Sequence, residues 1–215
     1  MGKVTSCHFR LAQLFPPNDE YATTVARLCI LWEDFMTEAS GGTAERLPAM
    51  DSNSVRWRRL YFLRRSIGTI QEIRQGFDQL CKQKNFKSAH KKQPTTDRNS
   101  FDKSRKKLGK HAEKLKELRN RIGGGHVKED AVKEGLAKMD CEKIGMLQEG
   151  EYYKDIRYKF ADELVLAALF PGHKDAEKEL GDLISSMLDE STDSALKMIE
   201  YAFHLYMKER RITGL

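Results

Sequence analysis

Apolar residues of this chain recur at intervals of three and four along almost its whole length, and this spacing constrains the fold more than any other feature. Residues three and four apart lie on one face of an α-helix, whereas a half-buried strand alternates polar and apolar side chains. The longest stripe runs from Asp51 to Cys81 and contains Leu60, Leu63, Ile67, Ile70, Phe77 and Cys81. The sequence therefore predicts an all-α protein, a helical bundle of about seven helices.

Turn and capping residues set the predicted helix limits. The first long helix begins after FPPND, with Asn18 or Asp19 as N-cap, and ends at the SGG of residues 40–42. Residues 84–100, with a proline and clustered polar residues, are predicted to form a loop. The other helices are predicted over residues 51–81, 100–122, 127–139, 155–170, 175–190 and 191–211. A chain of 215 residues can bury a core without disulfides or metals, and we expect a single all-α domain over residues 1–215.

The positive charge of the chain is local. Residues 82–121 contain 15 Lys and Arg against four Asp and Glu, a net charge of +11, although the whole chain carries only +6. The other 175 residues contain 23 Lys and Arg against 28 Asp and Glu, a net charge of −5. Such a field attracts a polyanion, because neutralised phosphates release counterions. The alternative is a solvated helix face or a disordered arm.

Cysteine usage and hydropathy indicate a cytoplasmic location. The four cysteines (Cys7, Cys29, Cys81 and Cys141) include no C-x-x-C pair, and Cys29 and Cys81 fall within apolar helical patterns. Buried, reduced thiols in a reducing compartment are the simplest interpretation. The longest apolar run, VLAALF, is too short to cross a bilayer, and the N-terminus lacks the apolar core of a signal peptide. We therefore expect no membrane association.

One short segment combines several residues with catalytic potential. The sequence contains none of the usual nucleotide-binding, serine-nucleophile or zinc patterns, so no metal or cofactor is expected. LRNRIGGGH, residues 118–126, places Arg119, Asn120, Arg121 and His126 around three glycines at the end of the basic region. Each glycine disfavours continuation of the helix by about 1 kcal/mol relative to alanine. The helix is therefore predicted to end at Ile122.

An arginine, a polar residue and a histidine separated from the arginine by six residues resemble the R-x(4–6)-H motif of the HEPN superfamily. The spacing alone has about 1.3 chance matches in this chain, and requiring Asn, Asp or His directly after the arginine lowers that number to roughly 0.15. The segments YFLRRSIGTIQEI and EDF also look like the bundles of the abortive-infection branch. The resemblance implies a HEPN-like four-helix core over residues 20–140, with additional C-terminal helices over residues 151–215.

Many HEPN proteins are metal-independent RNases of toxin–antitoxin, abortive-infection and CRISPR-associated systems, and two of their motifs usually meet across a dimer interface. The resemblance therefore implies an endoribonuclease of toxin or antiphage-defence type, active as a homodimer, with an antitoxin or another protein as a further partner. Arg119, Asn120 and His126 would be its catalytic residues. Histidine can transfer protons near neutral pH, and arginine binds phosphate oxygens without losing its charge. RNA would bind to the neighbouring cations, namely Lys103, Arg105, Lys106, Lys107, Lys110 and Arg121.

Two alternatives remain open from the sequence. In the first, the chain is a non-catalytic module of the same fold that binds nucleic acid or protein, and LRNRIGGGH is only a helix end with a flexible glycine link. In the second, the chain is a DNA-associated regulator whose basic helix lies against duplex phosphates. The sequence contains no recognisable helix-turn-helix, and this disfavours the second alternative.

Overall fold

The computed structural model describes residues 10–43, 52–122, 126–139, 142, 147–148, 157–158 and 160–211. Its helices are α1 (Leu11–Leu14), α2 (Glu20–Thr43), α3 (Ser52–Leu80), α4 (Lys84–Lys91), α5 (Thr95–Lys110), α6 (Ala112–Ile122), α7 (Glu129–Lys138), α8 (Ala161–Leu169), α9 (Ala176–Asp182) and α10 (Asp189–Glu209). A π-helical segment, Leu183–Leu188, joins α9 to α10, and β1 (Leu147–Gln148) pairs with antiparallel β2 (Arg157–Tyr158). The prediction of an all-α helical bundle is confirmed, with ten α-helices rather than about seven in the described residues.

The helices group into two compact units. Unit one is formed by Met1–Asp34, Glu72–Lys110 and Ser191–Leu215, and unit two by Phe35–Gln71 and His111–Glu190, with structural detail limited to the described residues of each. The prediction of a single domain stays a prediction.

Aromatic side chains dominate the core of unit one. Phe101 packs against Phe77 and Phe86, with ring centroids 6.1 Å and 5.6 Å away. All three phenylalanines are buried, and burial of such large apolar surfaces is a main source of stability. The hydroxyl of the buried Tyr206 donates a hydrogen bond to the carbonyl of Leu14, so this polar atom is satisfied within the core.

Helices α6, α7 and α8 form the part of unit two that holds the catalytic candidates. Leu115, Leu118 and Ile122 of α6 are buried at helical spacing. Helices α7 and α8 approach closely at Gly135, where an added Cβ would lie 2.7 Å from the carbonyl carbon of Ala167. A side chain at this position would meet the backbone of α8, so the two helices could pack only at a greater separation.

The prediction of a loop over residues 84–100 was wrong. Helix α4 occupies its first half because Phe86 and Ala89, three positions apart, are both buried. The proline belongs to a helix start, since the carbonyl of Pro94 accepts hydrogen bonds from the backbone N–H groups of Asp97 and Arg98 at the beginning of α5. Helical periodicity of apolar residues is recognised in windows of about 11–18 residues, and a helix of eight residues is too short to show it.

Three further helix limits differ from the sequence. The SGG segment does not end α2, which continues to Thr43; a Cβ at Gly41 would lie 2.5 Å from Cζ of Phe62, so this glycine permits a close approach. The helix predicted over residues 100–122 is divided by a turn at His111 into α5 and α6. Residues 157–158, predicted to be helical, belong to β2, because they pair with residues 147–148.

One local prediction is confirmed, and another is confirmed only in part. Asp19 is the N-cap of α2, and its Oδ1 accepts hydrogen bonds from the backbone N–H groups of Tyr21 at 2.8 Å and Ala22 at 3.1 Å. Cys29 and Cys81 are free, as predicted, but they are half-buried rather than buried, and this burial raises the pKa of both. Cys7 and Cys141 lie outside the described residues.

Candidate functional site

The three predicted catalytic residues lie at the C-terminal end of α6 and just beyond it. Arg119, in the last turn of α6, is half-buried, and Asn120 is exposed. His126 is also exposed and lies four residues after the last residue of α6, while residues 123–125 lie outside the described residues. A cation in the last turn is favoured by the helix dipole, so Arg119 has a structural as well as a chemical reason to be there.

The segment that contains His126 is closed by a backbone hydrogen bond. The N–H of Lys128 donates to the carbonyl of Arg121 at 2.8 Å, and α7 begins at the next residue, Glu129. This bond satisfies one of the carbonyls that a helix end leaves without a partner. His126 is therefore held two residues from a fixed point at the end of α6.

Arg121 joins three helices around this closed segment. Its Nη1 donates to Oε2 of Glu134 on α7 at 2.7 Å and to the carbonyl of Ala168 on α8 at 3.3 Å. Its Nε lies 3.6 Å from Oε1 of Glu117, one turn earlier on α6. The side chain is only 20% exposed. Arg121 thus positions the end of α6, and the RNA-binding role predicted for it stays a prediction.

Glu134 is the acidic partner in this arrangement. Its other oxygen, Oε1, accepts a hydrogen bond from Nζ of Lys138 at 2.8 Å. The hydrogen bonds from Lys138 and Arg121 lower the pKa of the Glu134 carboxyl to about 2. The carboxylate is therefore ionised throughout the pH range in which a histidine can transfer protons.

The other predicted RNA-binding residues lie on α5, in unit one. Helix α5 buries Phe101, Ser104 and Leu108 on one face. The α5 cations that are predicted to bind RNA are Lys103, Arg105, Lys106, Lys107 and Lys110. All of them are exposed except Lys107, which is half-buried. Nη2 of Arg105 lies 3.8 Å from Oδ1 of Asp78 on α3. Arg119, Asn120, Arg121 and His126 belong to unit two, whereas these five cations belong to unit one.

A cluster on α3 was missed by the sequence interpretation. The guanidinium carbon of Arg64 lies 5.1 Å from the ring centroid of Trp57 and 5.9 Å from that of Tyr61. Arg64 is only 4% exposed, but the two aromatic residues are 40% and 37% exposed. The sequence does contain the pattern that indicates this cluster, namely two aromatic residues four positions apart, followed by an arginine on the same helical face.

A histidine–tyrosine pair in unit one has a structural role. Nδ1 of His90 on α4 and the hydroxyl of Tyr201 on α10 lie 2.7 Å apart and share a hydrogen bond. Burial lowers the pKa of His90 and raises the pKa of Tyr201 to about 12, so both groups are neutral at pH 7. The His90 ring stacks on Phe86 at 5.6 Å, an environment that suits a neutral imidazole. This pair joins α4 to α10.

Comparisons with protein-family models, curated proteins and solved structures give no match for this chain. Within the part of the chain that the structure describes, no three His, Cys, Asp or Glu side chains are grouped to hold a metal ion. Among the same residues, no helix combines the length and apolar composition needed to cross a bilayer.

Proposed function

We propose that this protein is a HEPN-like, RNA-binding endoribonuclease that acts without a metal through Arg119, Asn120 and His126. The observation that carries the proposal is the closed segment between α6 and α7. The hydrogen bond from Lys128 to Arg121 ties the chain two residues after His126 to the helix end that bears Arg119 and Asn120, and this supports the proposal.

The proposed reaction needs two proton transfers at one phosphodiester. The 2′-oxygen of the RNA forms a bond to phosphorus, and the bond from phosphorus to the 5′-oxygen breaks. The products are a 2′,3′-cyclic phosphate and a 5′-hydroxyl. His126 accepts the 2′ proton, while the same histidine of a second copy protonates the leaving 5′-oxygen. This division of roles is the chemical reason to propose a homodimer, because each chain supplies one motif.

Arg119 and Asn120 act on the phosphate in this scheme. A guanidinium keeps its charge at any working pH and stabilises the negative charge that develops on the phosphorane oxygens. Asn120, exposed beside Arg119, bonds the ribose or orients the imidazole. Arg121 holds α6, α7 and α8 together through Glu134 and Ala168, so that the motif keeps its geometry.

The cations of α5 supply the affinity for the RNA backbone, since each neutralised phosphate releases counterions. We place the protein in the cytoplasm, in a toxin or antiphage-defence system in which an antitoxin or similar protein restrains it. That context follows from the HEPN resemblance.

The test is cleavage of a labelled single-stranded RNA in EDTA by the wild-type protein and by His126→Ala, Arg119→Ala and His173→Ala. His173 is an exposed histidine of the same unit and serves as the matched control. We expect cleavage by the wild type and by His173→Ala, and a loss of at least about 100-fold for the other two variants. If wild-type protein binds RNA without cleaving it, the chain is a non-catalytic module of this fold.

A further inference from the structure

The exposed aromatic pair on α3, with the arginine beneath it, is the strongest feature that the proposed function leaves unused. We call Trp57, Tyr61 and Arg64 the stacking patch. Trp57 and Tyr61 are four positions apart and therefore neighbours on one face of the helix. Each keeps more than a third of its surface exposed, which is unusual for two large aromatic side chains side by side.

The third residue of the patch, Arg64, is a buried cation that contacts both rings. It is almost completely buried, and its Nε has no hydrogen-bond partner. Among the described residues it has no carboxylate within ion-pair distance, and its contacts are with the rings of Trp57 and Tyr61. Burial lowers the pKa of Arg64, yet an arginine keeps its charge in proteins. A buried cation without an anion is expensive, and a bound phosphate would supply the missing partner.

A neighbouring phenylalanine packs against the Tyr61 ring of the patch. Phe62 contacts the Tyr61 ring edge-on, with centroids 5.3 Å apart. Phe62 itself lies close to Gly41 of α2, where an added Cβ would be 2.5 Å from its ring. Phe62 therefore supports the Tyr61 side of the patch, and an aromatic ring that is held by packing loses little entropy when a ligand stacks on it.

The charge around the patch favours an anionic ligand. Residues 52–71 contain five arginines and no acidic residue. Arg56 is paired with carboxylates that include Asp162, and Arg65 with Glu38, whereas Arg64 at the patch has no ion-pair partner among the described residues. A ligand that combines flat rings with negative charge fits this surface.

From these observations we propose that the stacking patch binds the unpaired bases of a single-stranded nucleic acid, with Arg64, in contact with both rings, as the cation nearest to its phosphates. The inference rests on the proposed function for the identity of the natural ligand, single-stranded RNA. Successive residues of an α-helix rise by 1.5 Å, so the two aromatic residues are separated by about 6 Å along α3. Bases in a duplex are separated by about 3.4 Å along the strand, so neighbouring bases reach both rings only when they are unstacked.

Tryptophan fluorescence tests contact with the patch. The chain has two tryptophans, so Trp32→Phe leaves Trp57 as the only one and Trp57→Phe leaves Trp32. The probe is a single-stranded oligodeoxynucleotide, which lacks the 2′-hydroxyl and cannot be cleaved by the proposed reaction. We expect it to quench the fluorescence of Trp32→Phe, because a base stacks on Trp57, and to leave that of Trp57→Phe unchanged. Quenching only in Trp57→Phe, or in neither variant, would overturn the proposal.

Binding by fluorescence anisotropy tests the energetic part. The double variant Trp57→Ala/Tyr61→Ala should bind single strands roughly 5- to 100-fold more weakly, since stacking on an aromatic side chain contributes about that factor per base. Its affinity for the blunt duplex of the same sequence should change less than twofold. Trp57→Phe/Tyr61→Phe should retain most of the affinity, because its side chains keep a π face. Leu136→Ala, which removes another exposed apolar side chain of unit two, is the matched control and should behave as wild type.

Each contrary result has a distinct meaning. Equal losses of affinity for the single strand and the duplex would refute the stacking role. A change of oligomeric mass in the double variant without loss of nucleic-acid binding would also refute it and would indicate a protein interface. Thermal melts of both double variants show whether they are folded, and the Phe variant decides the question if the Ala variant is not. Aromatic-dependent binding without RNA cleavage would refute the catalytic proposal alone. Absence of any binding by wild type would refute both.

Discussion

The close approach of α7 and α8 at Gly135 gives a quantitative test of the structure around the candidate site. In Gly135→Ala, the added methyl group would lie 2.7 Å from the carbonyl carbon and 2.9 Å from the carbonyl oxygen of Ala167, and 2.8 Å from the nitrogen of Ala168. All three atoms belong to the backbone of α8. No side-chain rotation can relieve these contacts, so the helices must move apart.

The magnitude follows from two opposing terms. Replacing glycine by alanine within a helix stabilises it by about 1 kcal/mol. Forcing a methyl group into a packed interface costs roughly 1–3 kcal/mol. We expect a net destabilisation of about 1 kcal/mol for Gly135→Ala, with a range from about 0 to 2 kcal/mol. Gly68→Ala, in α3, is the matched control, because an added Cβ there has no heavy atom within 4 Å.

The assay is urea unfolding of the three proteins at 25 °C, with midpoint and slope fitted separately. Gly68→Ala should be more stable than wild type by up to about 1 kcal/mol, and Gly135→Ala less stable. The difference between the two variants measures the steric term alone. An equal stabilisation of Gly135→Ala and Gly68→Ala would contradict the close contact between position 135 and the backbone of α8.

Three further predictions concern charge and capping. Asp19→Ala should lower the free energy of unfolding by about 0.5–2 kcal/mol in urea titrations through loss of the α2 cap, while Asp19→Asn should retain most of it. The Glu134 carboxyl has a pKa lowered to about 2, so its contribution to stability is complete above about pH 5 and is lost as the pH falls towards 2. Melting temperatures in that window should therefore fall more steeply for wild type than for Glu134→Gln, and parallel curves would contradict this pairing. Replacing the α5 lysines Lys103, Lys106, Lys107 and Lys110 by glutamine should reduce the slope of log affinity for single-stranded RNA against log salt concentration by up to about 3, whereas an unchanged slope would mean a solvated face.

The elements that could be predicted from the sequence were those with long apolar stripes. Helix α3 was expected over residues 51–81 and spans Ser52–Leu80, with Ile67, Ile70 and Phe77 buried as the stripe requires. Helix α4 was missed because two buried residues do not make a recognisable period. The SGG segment was misread because the contact between Gly41 and Phe62 joins residues far apart in sequence.

The candidate site could be predicted only in its local part. The C-terminal end of α6 and both ends of α7 were found to within about two residues, because glycines and acidic residues mark them in the sequence. The role of Arg121 could not be found in this way, since its partners Glu134 and Ala168 are 13 and 47 positions away. The spacing of Trp57, Tyr61 and Arg64 was visible in the sequence, but their mutual contacts and the burial of Arg64 required the fold.

The most direct test of the central claim is end-group analysis of RNA fragments produced in EDTA by wild-type protein and by His126→Ala. The claim predicts 5′-hydroxyl and 2′,3′-cyclic phosphate ends with the wild type, no cleavage at a position where the RNA carries a single 2′-deoxy substitution, and intact RNA with His126→Ala. Fragments with 5′-phosphate ends, cleavage at the 2′-deoxy position, or equal activity of His126→Ala would contradict it.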